Sequence, residues 1–183
     1  MRAFIFPNSL RLVVLLALVG GAVSSCLSPP NYPNVPSISD PQVASFRRGT
    51  GGARRDSVIL TVSYQDGNGD LGLADGDTSG VYSSRGGNRN QFNYFLQPYV
   101  KNAATGLFEP IFTSGLGEYD GRFPRITAEG TKEAPVKGTL TYTQNFFLSA
   151  PFRPGQEVRF VISLQDRGLH ESNQVTTPSI IIP

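Results

Sequence analysis

Oxygen-bearing side chains are concentrated between positions 66 and 77 of this 183-residue chain. The segment reads DGNGDLGLADGD, so four aspartates and one asparagine alternate with small residues and leucines. Ca²⁺ prefers hard oxygen ligands, and glycine permits the tight turns that bring successive side chains onto one ion. We therefore predict a calcium site whose ligands come from Asp66, Asn68, Asp70, Asp75 and Asp77.

The spacing matches part of an EF-hand loop. Counted from Asp66 as position 1, the residues Asn68, Asp70 and Asp77 fall at positions 3, 5 and 12. Position 6 is Leu71 instead of glycine, and neither flank has a helical pattern, so a helix-loop-helix unit is excluded. A metal-free turn is the alternative, because Gly, Asn and Asp favour turns. The connection of about 25 residues exceeds the ~12 to 15 at which loops without internal structure become uncommon, which favours an ordering cation.

Asp166 is a further candidate ligand. It directly follows an alternating segment at 157–165, as Asp66 follows one at 57–65. If these segments are strands B and F of a sandwich, their carboxyl ends emerge at the same pole, where the two aspartates could meet with Arg167 or His170 beside them. The alternative is that Asp166 pairs only with a nearby arginine or caps its own turn.

The residue content argues against most catalytic sites. There is one Cys, one His and no Trp. No Gly-x-Ser-x-Gly segment presents a nucleophile, and Gly86-Gly87 lacks the Lys-Ser/Thr of a phosphate-binding loop. Paired aspartates are better explained by an ion that neutralises them than as a general acid and base. We expect no enzymatic activity, with a metal-dependent hydrolase as the alternative.

A polar rim beside the acidic loop is suited to a protein or glycan partner. Its residues are Tyr82, Arg85, Asn88 and Arg89. A carbohydrate-binding accessory module is an alternative, but without Trp the aromatic side chains of 92–99 are better explained as core. The net charge of +2 and the absence of aromatics from RRGTGGARR at 47–55 predict no nucleic-acid partner and a solvated hairpin loop there.

The segments that must position these side chains have strand patterns. Apolar residues alternate along 57–65 and 157–165, and the chain holds 20 Gly and 14 Pro. Further strands are predicted at 43–46, 93–101, 107–113, 122–128, 137–143 and 174–182. Together they predict an all-β fold, an immunoglobulin-like antiparallel β-sandwich of seven or eight strands.

The N-terminal segment has the pattern of an export signal. Arg2 and Arg11 precede LVVLLALVGGAV at 12–23, a run too short to span a bilayer stably. Val-Ser-Ser-Cys then ends at Cys26 and resembles the lipobox of bacterial lipoproteins. The resemblance implies a lipid on Cys26 and, because residue 27 is Leu instead of Asp, the outer membrane. A conventional signal peptide with an incidental cysteine is the alternative.

This interpretation divides the chain into three parts. Residues 1–25 form the signal peptide, 26–41 the lipidated cysteine and a tether with five prolines, and 42–183 the sandwich domain. Loss of Arg2 and Arg11 would leave 14 basic side chains against 14 acidic ones. The apparent basicity therefore belongs to the signal. The predicted partner is the membrane, which the chain contacts through the lipid anchor.

Two longer segments resemble a family of Bacteroidota lipoproteins that carry a D-G-[DN]-G-D-L-G motif. They are SYQDGNGDLG at 63–72 and FRPGQEVRFVISLQDRGLHESN at 152–173. The second is also similar to the E-F corner, strand F and F-G turn of immunoglobulin-like and fibronectin type III-like domains. Asn68 stands at the [DN] position, where an aspartate is the family's usual residue. Gly168 lies one position before the Gly of the family's closing D-R-x-G-x-x-S-N segment. The resemblance implies the sandwich fold and an envelope lipoprotein that faces the periplasm or the outside. Because the sequence offers no catalytic site, we expect the calcium-stabilised domain to act as a binding or scaffolding module there.

Overall fold

β-Strands form most of the regular structure in a computed structural model that describes residues 30–112, 119–148 and 150–183. The strands are β1 (Ser37–Arg48), β2 (Arg55–Asp66), β3 (Tyr94–Lys101), β4 (Phe108–Pro110), β5 (Val136–Phe147), β6 (Glu157–Leu164), β7 (Val175–Thr176) and β8 (Ile180–Ile181). Single turns of 3₁₀ helix occur at Gly51–Ala53, Gly80–Tyr82, Arg85–Gly87 and Arg89–Gln91. No helix within these described ranges is long and apolar enough to cross a membrane.

The strands form two antiparallel sheets. One has the order β1-β2-β5, and the other has the order β4-β3-β6, with β7 and β8 both on the free side of β6. This confirms the predicted all-β sandwich. First, second and fifth strands share one sheet and third, sixth and seventh the other, as strands A, B, E and C, F, G do in immunoglobulin-like sandwiches. Here β4 pairs with β3 and not with β5.

The core lies between the facing strands of the two sheets. Val58, Leu60 and Val62 of β2 and Phe160 and Ile162 of β6 are buried, as their alternation predicts. Aromatic rings fill the space between these two strands. The Phe152 ring makes edge contacts with Phe146 and Phe160, and those two rings are stacked. The two strands that precede the candidate ligands are therefore anchored by apolar burial on both sides of the core.

Several boundaries differ from the sequence prediction. The first strand covers Ser37–Arg48, so it begins within the predicted tether and extends past the expected 43–46. Pro41 is tolerated because it lies in a register irregularity between Ser39 and Gln42, where a missing N–H disrupts no regular ladder. β5 continues to Phe147, beyond the predicted end at Thr143.

Residues 122–128 are not a strand, contrary to prediction. Their backbone groups bond to loops far away in sequence: Phe123 N–H donates to Asn93 Oδ1, and Ile126 N–H donates to the Leu71 carbonyl. Pro124 also interrupts the run of donors that a ladder would need. The predicted strand at 107–113 is shorter in the structure, where β4 covers Phe108–Pro110, and Thr113 lies outside the described residues. Cys26 and the segment 1–25 also lie outside the described residues.

The sandwich has two distinct poles. We call the end where β2 and β6 finish and β1 begins the acidic pole, since Ser37 pairs with Gln65 there and Leu71 bridges to Asp166. At the opposite pole β1 turns into β2 through residues 49–54, a hairpin loop as predicted. The candidate ligands therefore have one common location.

Candidate metal centre

Three carboxylates from separate stretches of chain converge at the acidic pole. Asp66 is the last residue of β2, Asp70 lies in the loop that follows, and Asp166 comes two residues after the end of β6. Ligand oxygens of the three lie within 4.8 Å of one another. We call Asp66, Asp70 and Asp166 the acidic cluster.

Backbone hydrogen bonds fold the loop so that Asp70 turns back toward Asp66. The Asp70 N–H donates to Asp66 Oδ2 at 3.0 Å, and the Gly168 N–H donates to Asp70 Oδ2 at 3.1 Å. Gly69 between them has φ of +71°, where a Cβ would also meet the Ala134 carbonyl oxygen at 2.6 Å. Glycine is therefore required at this position by both conformation and space.

Three acceptor oxygens at this pole are buried and have no hydrogen-bond partner among the described residues. They are Asp66 Oδ1, Asn68 Oδ1 and Asp70 Oδ1. Asp66 as a whole is 0% exposed. A buried acceptor without a donor is unfavourable by roughly 1–3 kcal/mol, more when it is charged. Because Asn68 is neutral, its unpaired oxygen leaves room for a donor or a cation independently of the carboxylate charges.

Burial and mutual repulsion disfavour ionisation of the carboxylates in the acidic cluster. Burial, followed by the nearby Asp70 carboxylate, raises the pKa of Asp66 to about 6, against the lowering effect of two backbone N–H groups. Burial and the charge of Asp166 raise the pKa of Asp70, partly opposed by Arg167. Each carboxylate therefore makes ionisation of its neighbour less favourable.

Asp166 is held by the turn that follows it. The His170 N–H donates to Asp166 Oδ1 at 2.7 Å, and His170 Nδ1 lies 2.9 Å from Asp166 Oδ2. This contact raises the pKa of the His170 imidazole, which is itself about half exposed. Arg167 donates to the Leu71 and Gly72 carbonyls, and among the described residues it forms no salt bridge.

The other two predicted ligands lie elsewhere. Asp77 accepts from the Ala74 N–H at 2.8 Å and pairs with Arg125 at 3.1 Å, and these contacts lower its pKa. Asp75 is exposed to solvent. The structure thus brings Asp66, Asp70 and Asp166 together, with the Asn68 side chain beside Asp70, whereas Asp75 and Asp77 are not part of this cluster.

Sequence reasoning missed Arg122, which orders the second half of the long loop. Its guanidinium donates to the carbonyls of Ala74, Asp77 and Gln91 at 2.8–3.3 Å. The sequence predicts a strand at this position, and no local pattern indicates that an arginine will donate to carbonyl groups more than thirty residues away. A protein side chain therefore performs part of the ordering that the sequence analysis assigned to the ion.

The predicted rim residues are largely engaged within the domain. The Tyr82 hydroxyl donates to the Arg167 carbonyl at 2.6 Å, and Asn88 donates to the Val81 carbonyl. Arg89 pairs with both oxygens of Glu171 while its guanidinium lies over the Phe95 ring. Arg85 is exposed. These contacts bring the 80–91 segment against the turn that carries Asp166.

Fold and site together define a β-sandwich domain with a buried acidic cluster at one pole. Comparison with protein-family models, with curated proteins and with solved structures finds no match to this chain. Its function must therefore be argued from the site itself.

Proposed function

We propose that this chain is a membrane-anchored lipoprotein whose sandwich domain binds Ca²⁺ at the acidic pole and serves as a binding or scaffolding module of the cell envelope. The observation that carries the metal part is the convergence of three unpartnered buried oxygens, on Asp66, Asn68 and Asp70, with a third carboxylate from Asp166.

The donor set fits a hard divalent cation. All four side chains offer oxygen, and none of the four offers the thiolate sulfur or imidazole nitrogen that zinc would favour. Among the described residues, His170 is the one basic side chain paired with the three carboxylates, through Asp166, so net negative charge remains at a largely buried site. A bound Ca²⁺ would balance that charge and satisfy the open acceptors at the same time.

Burial favours a structural role for the ion over a catalytic one. Asp66 and Asp166 are 0% and 2% exposed, so a substrate would have little access to the metal through either carboxylate. The ion would join the loop after β2 to the turn after β6, and thereby fix the two connections at this pole. This is why a binding module is preferred to a hydrolase.

Thermal unfolding of the full-length protein tests the ion. Saturating Ca²⁺ should stabilise the chain relative to chelator by about 2.7 kcal/mol at one hundred times the dissociation constant, an increase of roughly 5–10 °C in melting temperature. Asp70→Asn should abolish the increase.

Asp75→Asn is the matched control for that experiment. It removes a carboxylate from the same loop, but Asp75 is exposed and lies outside the acidic cluster. The control should keep the full response to Ca²⁺. A melting temperature of the unaltered protein that ignores both calcium and chelator would remove the proposed site.

The anchor is tested separately through Cys26, the one cysteine of the sequence. Metabolic labelling with a fatty acid should mark the unaltered chain, and Cys26→Ser should lose the label and leave the outer-membrane fraction. Ser25→Ala is a suitable control, because a small residue before the cysteine is retained. Equal labelling of all three chains would contradict the proposed anchor.

A further inference from the structure

The outer edge of β5 is the strongest unassigned surface of the domain. β5 is twelve residues long and pairs with β2 on one side. In an antiparallel sheet the backbone groups of a strand alternate between its two sides, so about half of those on β5 point away from β2. Among the described residues, one loop bond reaches this edge, from the Ala150 N–H to the Phe147 carbonyl.

The remaining sheet edges are blunted in ways that prevent strand addition. β1 carries Pro41 in a register irregularity, and β4 is three residues long and ends at Pro110. β7 and β8 have two residues each, with Pro178 between them. Natural proteins use such short edges, prolines and bulges to avoid unwanted pairing.

β5 has none of these protections. It contains no proline and no acidic residue, and Lys137, next to its start, is its one charged side chain. Its solvent face instead carries Thr139, Thr141 and Thr143 in a row. β-branched residues of this kind favour an added strand.

The sequence of β5 is compatible with a second copy of itself. If two copies meet antiparallel with Thr141 opposite Thr141, then Thr139 faces Thr143 and Lys137 faces Asn145, so no like charges are opposed. On the inner face, Leu140 would lie opposite the partner's Tyr142. Both side chains are only partly buried at the margin of the core, and a neighbouring copy would cover them further.

We infer that β5 pairs antiparallel with β5 of a second copy of this chain, which joins two three-stranded sheets into one six-stranded sheet. The contact is isologous, so it closes as a dimer and leaves no free β5 edge. It depends on neither the ion nor the lipid anchor, and its failure would leave both of those proposals intact.

Disulfide trapping in the full-length chain tests the pairing. With Thr141→Cys, facing Cα atoms would be about 4.5–5.5 Å apart, within the range of a disulfide. Thr61→Cys is the matched control, because Thr61 pairs with Thr141 on the same face but belongs to the central strand. Its two copies would be separated by three strand spacings, roughly 14 Å, which is too far.

We expect a reducible dimer of T141C and none of T61C. A link through Cys26 would appear equally in both variants and in the unaltered chain. The register has its own test: T139C mixed with T143C should cross-link, whereas neither should do so alone. Absence of a dimer in both tests, equal dimer in T141C and T61C, or linkage of T141C to a different protein would overturn the inference.

Discussion

Asp66 and Asp166 are one hundred positions apart and lie at the ends of core strands of different sheets, yet their carboxylates belong to one buried cluster. The loop residue Asp70 completes the cluster through backbone bonds to both neighbouring segments. The sandwich therefore holds three negative groups together by its own architecture. This arrangement is unfavourable for the ion-free fold and favourable for a cation.

Asp66→Asn should consequently have opposite effects with and without calcium. An amide nitrogen in place of Oδ1 would remove one charge and could donate to a neighbouring oxygen, so we expect the chelated variant to melt about 2–6 °C above the chelated unaltered protein. With calcium the order should reverse, because a ligand has been lost. Calorimetry in both conditions measures this, and a variant that melts lower in chelator would contradict the argument.

Calcium affinity should fall as the pH decreases below 6. The pKa of Asp66 is raised to about 6 by burial, so at pH 5 only about a tenth of this carboxylate is ionised in the ion-free protein. We expect the affinity at pH 5 to be about tenfold weaker than at pH 7.5, as measured by titration calorimetry. An affinity that does not change over this range would show that Asp66 is not a ligand with a raised pKa.

The same shift predicts the pH dependence of the ion-free protein. The folded state retains a proton on Asp66 that the unfolded chain releases near its ordinary pKa of 3.8. Stability contributed by this group should therefore decrease as the pH rises from about 4 to 6 and remain level above. Denaturant unfolding in chelator at several pH values measures it, and saturating calcium should remove this decrease.

Gly67→Ala should detach the segment before β1 from the acidic loop. A Cβ on Gly67 would meet the Tyr32 carbonyl oxygen at 2.3 Å, and the Gly67 N–H donates to the Pro33 carbonyl. We expect destabilisation of about 1–3 kcal/mol in urea unfolding. Gly76→Ala lies in the same loop with no atom near its Cβ, and it should be close to neutral. Equal effects of the two substitutions would refute this explanation.

Arg122→Met should open the loop between Ala74 and Gln91. The substitution keeps an unbranched stem but removes the donors to three carbonyl groups. We expect a loss of about 1–3 kcal/mol and faster proteolytic cleavage within this loop, because some of its carbonyls would be left without donors. Arg85→Met, at an exposed position of the same loop, is the control and should leave the cleavage rate unchanged.

The sequence could predict the strands that bury alternate side chains and the ligands that follow them directly. Apolar residues recur at every second position in both β2 and β6. Examples are Val58 and Leu60 in β2, and Phe160 and Ile162 in β6. Asp66 and Asp166 meet because both strands end at the same pole of the sandwich.

The rest of the site depends on contacts that no local pattern encodes. Asp77 fits the ligand spacing, but the fold places Arg125 beside it. The strand predicted at 122–128 fails because its hydrogen bonds go to Asn93 and Leu71, which belong to other loops. Spacing along the chain identifies oxygen donors, whereas tertiary contacts determine which of them stay unpaired.

The directions in which the chain enters and leaves the sandwich have a mechanical consequence. Pro33 lies against Gly67 at the acidic pole, while Ile182 bonds to Gln156 at the opposite pole. A pulling force applied between these two points acts along β1, across the hydrogen bonds that join β1 to β2. The force would load all of those bonds in shear at the same time. The β1–β2 pairing would therefore resist the force before the core is exposed.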